Sequence, residues 1–302
     1  MKNKYLSIIL LLMLSGIGIA VLFIACDPPN IDIELDTFKP KLVVASQIIP
    51  NHIMIVGLTK SFSVLSNATT NDSVKANFLD SMFVKNAIVT VSYFNNSITD
   101  TLFMLTPGIY ASINTLLKVD GTYTLIAKDP ATGMEISAQS IMLKQAKFDT
   151  ITPVVIKTST DTSVFVKYTI TDFPNEDNFY VVNYYAKNSI ASGANFDINS
   201  YFSTGHNKLL AGFDLLNDTA FDNGKLSIET KLENLKSTDT IAVTISNISE
   251  GYFKFLIAYK RAGSFFNQLT GEPINYPTNV NNGLGYFNTH YPDIRYFYLK
   301  DY

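Results

Sequence analysis

The sequence predicts a mainly β protein: an N-terminal transthyretin-like or Ig-like antiparallel β-sandwich, followed by a second β-rich region with one main helix. Three observations carry the β reading. Aromatic residues reach 13 %, as 21 Phe and 17 Tyr with no Trp, and with the many Thr, Val and Ile they favour the pleated surface of a strand. Short runs alternate apolar and polar residues, as Val89, Val91 and Tyr93 do against Thr90, Ser92 and Phe94. Turn residues (Gly, Pro, Asn, Asp) separate these runs at short spacing, the pattern of an antiparallel sandwich.

The chain opens on Lys2 and Lys4, an apolar run over residues 5–25, and Ala25 before Cys26, the single cysteine. A basic start, an apolar stretch and a small residue at the cut describe a secretory signal. A cysteine at the cut reads as a bacterial lipoprotein signal, so residues 1–25 are expected to be removed and the Cys26 thiol to take a lipid. Two or more acyl chains would anchor the protein durably on a membrane, because each buried CH₂ contributes about 0.8 kcal/mol. Phe23 stands where Leu is usual, and a run of about 20 apolar residues can also span a bilayer as an uncleaved anchor. No Lys or Arg cluster follows the run; DPPNIDIELD, which is acidic, does.

Residues 26–39 read as an acidic tether. Asp32, Glu34 and Asp36 would share one side of an extended chain, as a solvated linker or as a calcium-binding strip. The first domain spans residues 40–145. Residues 42–44 and 53–58 flank a Pro50-Asn51 turn, and residues 66–77 read as a long polar loop. Gly108-Ile109-Tyr110 and Gly121-Thr122-Tyr123 each open a strand, and Gly133 turns into another.

The second domain spans residues 150–302. Val164, Val166, Tyr168 and Ile170 alternate with polar neighbours, and strands are expected at 178–187, 225–232 and 240–246. The helix is expected near 249–262, with Ser249 as cap, Tyr252, Leu256 and Tyr259 on one face, and Gly263 as stop. The C-terminus, with Tyr296, Tyr298 and Tyr302 in phase, reads as a closing strand or as the final strand of an outer-membrane barrel.

Composition limits the function. Residues 26–302 suffice for one large or two ordinary domains, and a single cysteine allows no intramolecular disulfide. A net charge of −3 and a pI near 5.6 argue against a nucleic-acid partner, which needs a basic face. His52, His206 and His290 lie far apart and match no paired-ligand spacing, so no metal is expected. There is no G-x-S-x-G nucleophile elbow, and Cys26 is committed to lipid. Gly283-x-Gly285 lacks the third glycine of a dinucleotide site and reads as a tight turn needing positive φ. No cofactor and no catalytic residue are assigned. Among 26 acids, no pair stands out as glycosidase carboxylates. The Asn-, Gly- and Ser-rich segment 188–224, with Tyr201, Phe202, His206, Phe213 and Phe221, is the candidate ligand or partner loop. The same aromatics can instead pack onto the sandwich.

Read in order, several motifs resemble a Bacteroidota outer-membrane lipoprotein family catalogued as domain of unknown function 4249. They are Leu42-Val43-Val44, Ala87-x-Val89-x-Val91, Gly108-x-Tyr110, Gly121-x-Tyr123, and Asp172-Phe173-Pro174 with Asn178-Phe179-Tyr180. Asn217-Asp218, Phe221-Asp222-Asn223-Gly224, Glu272-Pro273 and Asn279-x-x-Asn282-Gly283-Leu284-Gly285-Tyr286-Phe287 complete the set. Asn223 is an insertion before Gly224, and Phe179 stands where Tyr is common. The resemblance implies an outer-membrane lipoprotein, a transthyretin-like first half, and a TonB-dependent receptor as partner; it implies no catalytic residues.

Asp followed by Ser or Thr and an apolar residue recurs and resembles the O-glycosylation sequon of secreted Bacteroidota proteins. The acceptors would be Ser73, Ser81, Thr101, Thr150, Thr219 and Thr240. The same triplets also read as a turn-ending Asp followed by the start of a strand. The expected function is a non-catalytic binding or accessory component of the outer membrane, held by lipidated Cys26; the alternative is a surface hydrolase or glycan-binding protein.

Overall fold

The structure, a computed structural model, describes residues 39–61, 81–158, 161–186, 210–262 and 276–302. Pro50 starts a single 3₁₀ turn, Pro50–His52, in which His52 takes φ +58°, and the turn folds β1 (Leu42–Ile49) back on β2 (Ile53–Lys60). Five strands follow: β3 (Ile88–Tyr93), β4 (Ile98–Thr106), β5 (Ile109–Ser112), β6 (Thr122–Lys128) and β7 (Glu135–Ile141). On β3 the expected alternation holds, since Val89, Val91 and Tyr93 are buried. Gly108 and Gly133 turn with φ +76° and +72°.

The second region is a sandwich. β8 (Phe148–Lys157) and β9 (Thr162–Thr171) form one side, and β10 (Phe179–Ala186) and β11 (Leu210–Asn217) belong to the other. β12 (Lys225–Leu235) completes a three-stranded sheet in the order β12-β9-β8. β13 (Thr240–Ile248) lies beside β10, and the final strand is an ordinary closing strand on β13. A three-stranded sheet facing a four-stranded one is the arrangement of immunoglobulin- and fibronectin-like sandwiches. Between β13 and that final strand the chain leaves the sandwich. It builds α1 (Glu250–Ala262), then β14 (Val280–Asn281) and β15 (Leu284–Tyr286), and returns as β16 (Asp293–Tyr298).

This excursion completes the first region. The nine-stranded sheet runs β14-β7-β6-β3-β4-β5-β2-β1-β15, so its two edges are strands separated in sequence by Asn282 and Gly283 alone. β14 pairs antiparallel with β7, and β15 pairs parallel with β1. One short segment thus stitches both edges and makes the sheet nearly a closed barrel around Leu42, Val44, Val91, Tyr110, Tyr123 and Phe287. The sequence-based boundary at 145–150 separates β1–β7 from β8–β13, while residues 280–287 return to the first core.

Side-chain hydrogen bonds lock the stitch. The Asn279 amide donates to the carbonyls of Gln139 and Phe287 (2.8 and 2.7 Å), and the Asn288 and Thr289 amides donate to the Ser46 and Ser140 hydroxyls (2.7 and 2.9 Å). Gly285 sits at φ +90°, and a Cβ there would lie 1.9 Å from the Val44 carbonyl oxygen. The turn expected at Gly283-x-Gly285 is present: Asn282 and Gly285 carry the positive φ.

β10 and β13 are buried on both faces. Tyr180, Val182, Ile241 and Val243 pack into the sandwich core, while Val181 and Ile248 pack against Tyr252 and Phe253 of α1. On that second face the Gln47 amide of β1 donates to the Tyr185 hydroxyl (2.9 Å), and the Tyr252 hydroxyl to the Ser46 carbonyl (3.4 Å). Ser249 caps α1 as expected, its hydroxyl accepting from the Tyr252 amide at 3.3 Å. The buried face differs from the expected stripe. Tyr252, Phe253 and Phe255 are buried and Leu256 is half-buried, because Phe253 meets Phe179 of β10 while Tyr252 and Phe255 meet Tyr286 of β15. Gly263 lies outside the described residues.

Gly285→Ala should therefore cost about 3 kcal/mol or more in urea unfolding, since it adds a backbone overlap to the strain of positive φ. Gly133→Ala, at φ +72° with open space around a new Cβ, should cost about 1 kcal/mol. Equal losses at the two sites would mean that the stitch does not hold the sheet.

Candidate functional site

A cleft of about 600 Å³ opens where β11, β12 and α1 meet. Its formation begins at the hairpin that delivers β12. Asp222 and Lys225 exchange two backbone hydrogen bonds of 2.9 Å around Asn223 and Gly224, both at positive φ (+50° and +74°). This is the two-residue turn that Asn-Gly favours, and it gives the Asn223 insertion a structural role. The cleft lining comprises Asp214, Leu215 and Leu216 of β11, Ile228, Glu229 and Thr230 of β12, and Phe253, Ile257 and Lys260 of α1. The cleft is wide open to solvent, with an apolar wall and four polar or charged residues, Asp214, Glu229, Thr230 and Lys260.

The polar end of the cleft is organised from behind. The Tyr184 hydroxyl donates to Asp214 Oδ2 at 2.7 Å, and the Thr230 hydroxyl donates to the same oxygen at 3.0 Å. Tyr184 also lies 3.3 Å from the Tyr168 hydroxyl. Burial, with Asp214 close by, pushes both tyrosine hydroxyls well above their ordinary range, so both stay protonated and donate. Asp214 is thereby fixed, with no partner for its second oxygen among the described residues. The Lys260 ammonium reaches the Phe213 carbonyl at 3.5 Å and lies 5.6 Å from the Phe213 ring, while Glu229 pairs with Lys167 at 2.8 Å. The cleft thus offers a held carboxylate, a cation and an apolar wall. Its lining contains no histidine, cysteine or serine.

The sequence candidates fall in different places. Cys26, Ser73, Tyr201, Phe202 and His206 lie outside the described residues, as do the apolar run and most of the tether. Part of the candidate loop is regular: residues 210–217 form β11. Phe213 faces α1 beside Tyr259, whereas Phe221 packs 5.5 Å from the Tyr180 ring in the sandwich core. The structure does not bring those two together. Ser81, Thr101, Thr150 and Thr219 are exposed, and the Thr219 hydroxyl donates to Asn217 at 2.8 Å. Thr240 is a correction: it is 3 % exposed within β13, so a sugar has no room there in the folded chain. Asp214 was missed because it interrupts an apolar run that alternation alone does not resolve.

His52 is exposed and edge-on to Tyr291 at 6.1 Å. His290 is fully buried, with Nε2 3.0 Å from the Ile48 carbonyl and Nδ1 3.0 Å from the Asn288 amide. A carbonyl only accepts, so Nε2 carries the proton and Nδ1 accepts from Asn288. Burial pushes its pKa down to about 4, against the opposing effect of the Ile48 bond. Among the described residues no group of three or more His, Cys, Asp or Glu is placed to hold a metal ion. Nor, among them, is any helix long and apolar enough to cross a membrane.

Residues 29–291 match the family model described as Domain of unknown function (DUF4249). No curated protein matches the chain. Among solved structures, a DUF3823 family protein from Bacteroides ovatus is 12 % identical, with 55 % of this chain and 83 % of that one covered and a TM-score of 0.21. A DUF3823 family protein from Parabacteroides merdae is 9 % identical over 53 % and 79 % of the two chains, with a TM-score of 0.22. A two-domain fibronectin type III segment of chicken tenascin is 13 % identical over 69 % and 90 %, with a TM-score of 0.19.

His290 sets an acid limit. Its native pKa near 4 lies below the ordinary 6.5, so the unfolded chain binds the proton first as pH falls. Stability should drop by about 3 kcal/mol between pH 6.5 and pH 4 through this residue, with no further His290 loss below that. Urea titrations of the protein and of His290→Gln across this range check it: the variant should lose that part of the slope. Tyr184→Phe should cost about 1–2 kcal/mol in the same assay, because Asp214 keeps the Thr230 bond alone.

Proposed function

The chain belongs to the DUF4249 family, and from that premise we propose that it is an outer-membrane lipoprotein, anchored through Cys26, acting as a non-catalytic binding or accessory component of a TonB-dependent receptor. The observation that carries the reading is the junction at Ala25-Cys26-Asp27. There the apolar run ends on the one thiol in the chain, with acidic rather than basic residues after it. The lining of the cleft supports a binding role over a catalytic one. Its carboxylate is held by two hydroxyls, and no histidine, cysteine or serine is among the described residues of the lining. A second reading, a glycan-binding or hydrolytic surface protein, draws on the two carboxylates, Asp214 and Glu229, that line the same cleft.

Cys26→Ala should move the protein out of the membrane fraction in detergent-free fractionation; retention there would favour an uncleaved anchor. Mild-detergent purification from native membranes, followed by mass spectrometry, should return a TonB-dependent receptor in near-equal amount. A protein that comes alone would remove the accessory role and bring the glycan reading forward.

A further inference from the structure

We propose that the cleft between β11, β12 and α1 receives an extended peptide segment of a partner protein, which adds as a strand to the β11 edge and places a basic side chain on Asp214. The inference deepens the binding role proposed above and rests on it.

The lining itself carries the argument. Side chains of a strand alternate between its two faces, so a cleft lined by side chains of one face meets every second residue. Here three consecutive residues of β11, Asp214 to Leu216, and three of β12, Ile228 to Thr230, line the same space. A cleft meets consecutive residues when it runs along the edge of a strand, where main-chain N–H and C=O groups point. Both strands are edges: β11 pairs only with β10 and β12 only with β9 among the described strands. The cleft is therefore a trough between two strand edges that no described strand covers, with Phe253 and Ile257 of α1 along it and the Lys260 ammonium on the Phe213 carbonyl. Unpaired main chain selects main chain, because a strand offers donors and acceptors at the matching spacing and a sugar or an acyl chain does not.

Charge selects the sequence of that peptide and excludes a second copy. Asp214 has one oxygen held by Tyr184 and Thr230 and, among the described residues, no ion-pair partner, since the Lys260 ammonium of the same cleft is turned to the Phe213 carbonyl. Two β11 edges pairing with each other would bring Asp214 towards Asp214, which is repulsive; an incoming Lys or Arg is attracted. Ile228, Leu215 and Ile257 offer apolar contacts for its neighbours. The expected partner segment is thus short, extended, apolar at alternate positions and basic at its centre.

The test uses the full lipidated chain in mild detergent and three synthetic nine-residue peptides of alternating Val and Thr. One carries Arg at its centre, one Glu, and one Arg flanked by two Pro that remove main-chain donors. The Arg peptide should bind with micromolar affinity and slow amide exchange in residues 210–217 and 225–235; the Glu and Pro peptides should bind at least tenfold more weakly. Asp214→Asn should weaken the Arg peptide about tenfold, and Ile257→Arg should block it, each variant first shown by circular dichroism to be folded. Equal binding of the Pro peptide, unchanged exchange in both strands, or no binding at millimolar peptide would overturn the proposal. Peptide binding by a protein that purifies without a receptor would uphold the trough and remove the receptor as its partner.

Discussion

Residue 285 has to lack a side chain for the first sheet to close, because its backbone lies against Val44 where any Cβ would overlap the carbonyl oxygen. That approach lets β15 run parallel to β1 while β14, two residues earlier, reaches β7 at the opposite edge. The remaining locks depend on it: the Asn279 amide on two carbonyls, the Asn288 and Thr289 amides on Ser46 and Ser140, and His290 on Ile48. Remove the approach and a nine-stranded sheet becomes an open one with two exposed edges, the arrangement that invites pairing with other chains.

The same excursion explains why the second region is not an isolated sandwich. The sheet that carries β10 and β13 has the usual core on one face, and its other face is covered by α1 and by β1 rather than by water. β13 is accordingly buried along its whole length, TIAVTISNI, where an ordinary sandwich strand would alternate. Covering that face with a helix whose far side borders β11 leaves the edge of the sandwich accessible, with Phe253 and Ile257 walling the trough. Packing demands on α1 thus shape the site.

The mainly β class, the β1–β2 hairpin, the alternation on β3 and β9, the helix and its Ser249 cap were legible because each rests on local chemistry: periodicity, a Pro turn, a capping hydroxyl. What escaped was set by tertiary contact. In β4, Phe103, Met104 and Leu105 are all exposed beside a register shift, so no alternation marks the strand. β8 is an edge strand, which tolerates Pro153 and exposed Val154 and Ile156. β11 carries Asp214 at an inward position, a polar residue that only the Tyr184 and Thr230 hydroxyls make acceptable there. β14 and β15 are two and three residues long, too short for any pattern, and only Gly285 hinted at them through its need for positive φ. The trough is hidden for the same reason, since it exists only between strands from different sheets.

The stitch also fixes an order of events in time. The Ser46–Asn288 and Ile48–His290 bonds each join residues 242 positions apart, among the longest loops a chain of this length can close. Loop closure of that span must precede the contacts that reward it, which makes such topologies slow to fold and leaves early strands waiting with open edges. A chain that emerges from its N-terminus first can align β1 to β7, yet it cannot complete them until residues near 285 have arrived. Residues 280–290 therefore complete strands that lie between residues 42 and 141, and those strands keep open edges until that segment arrives.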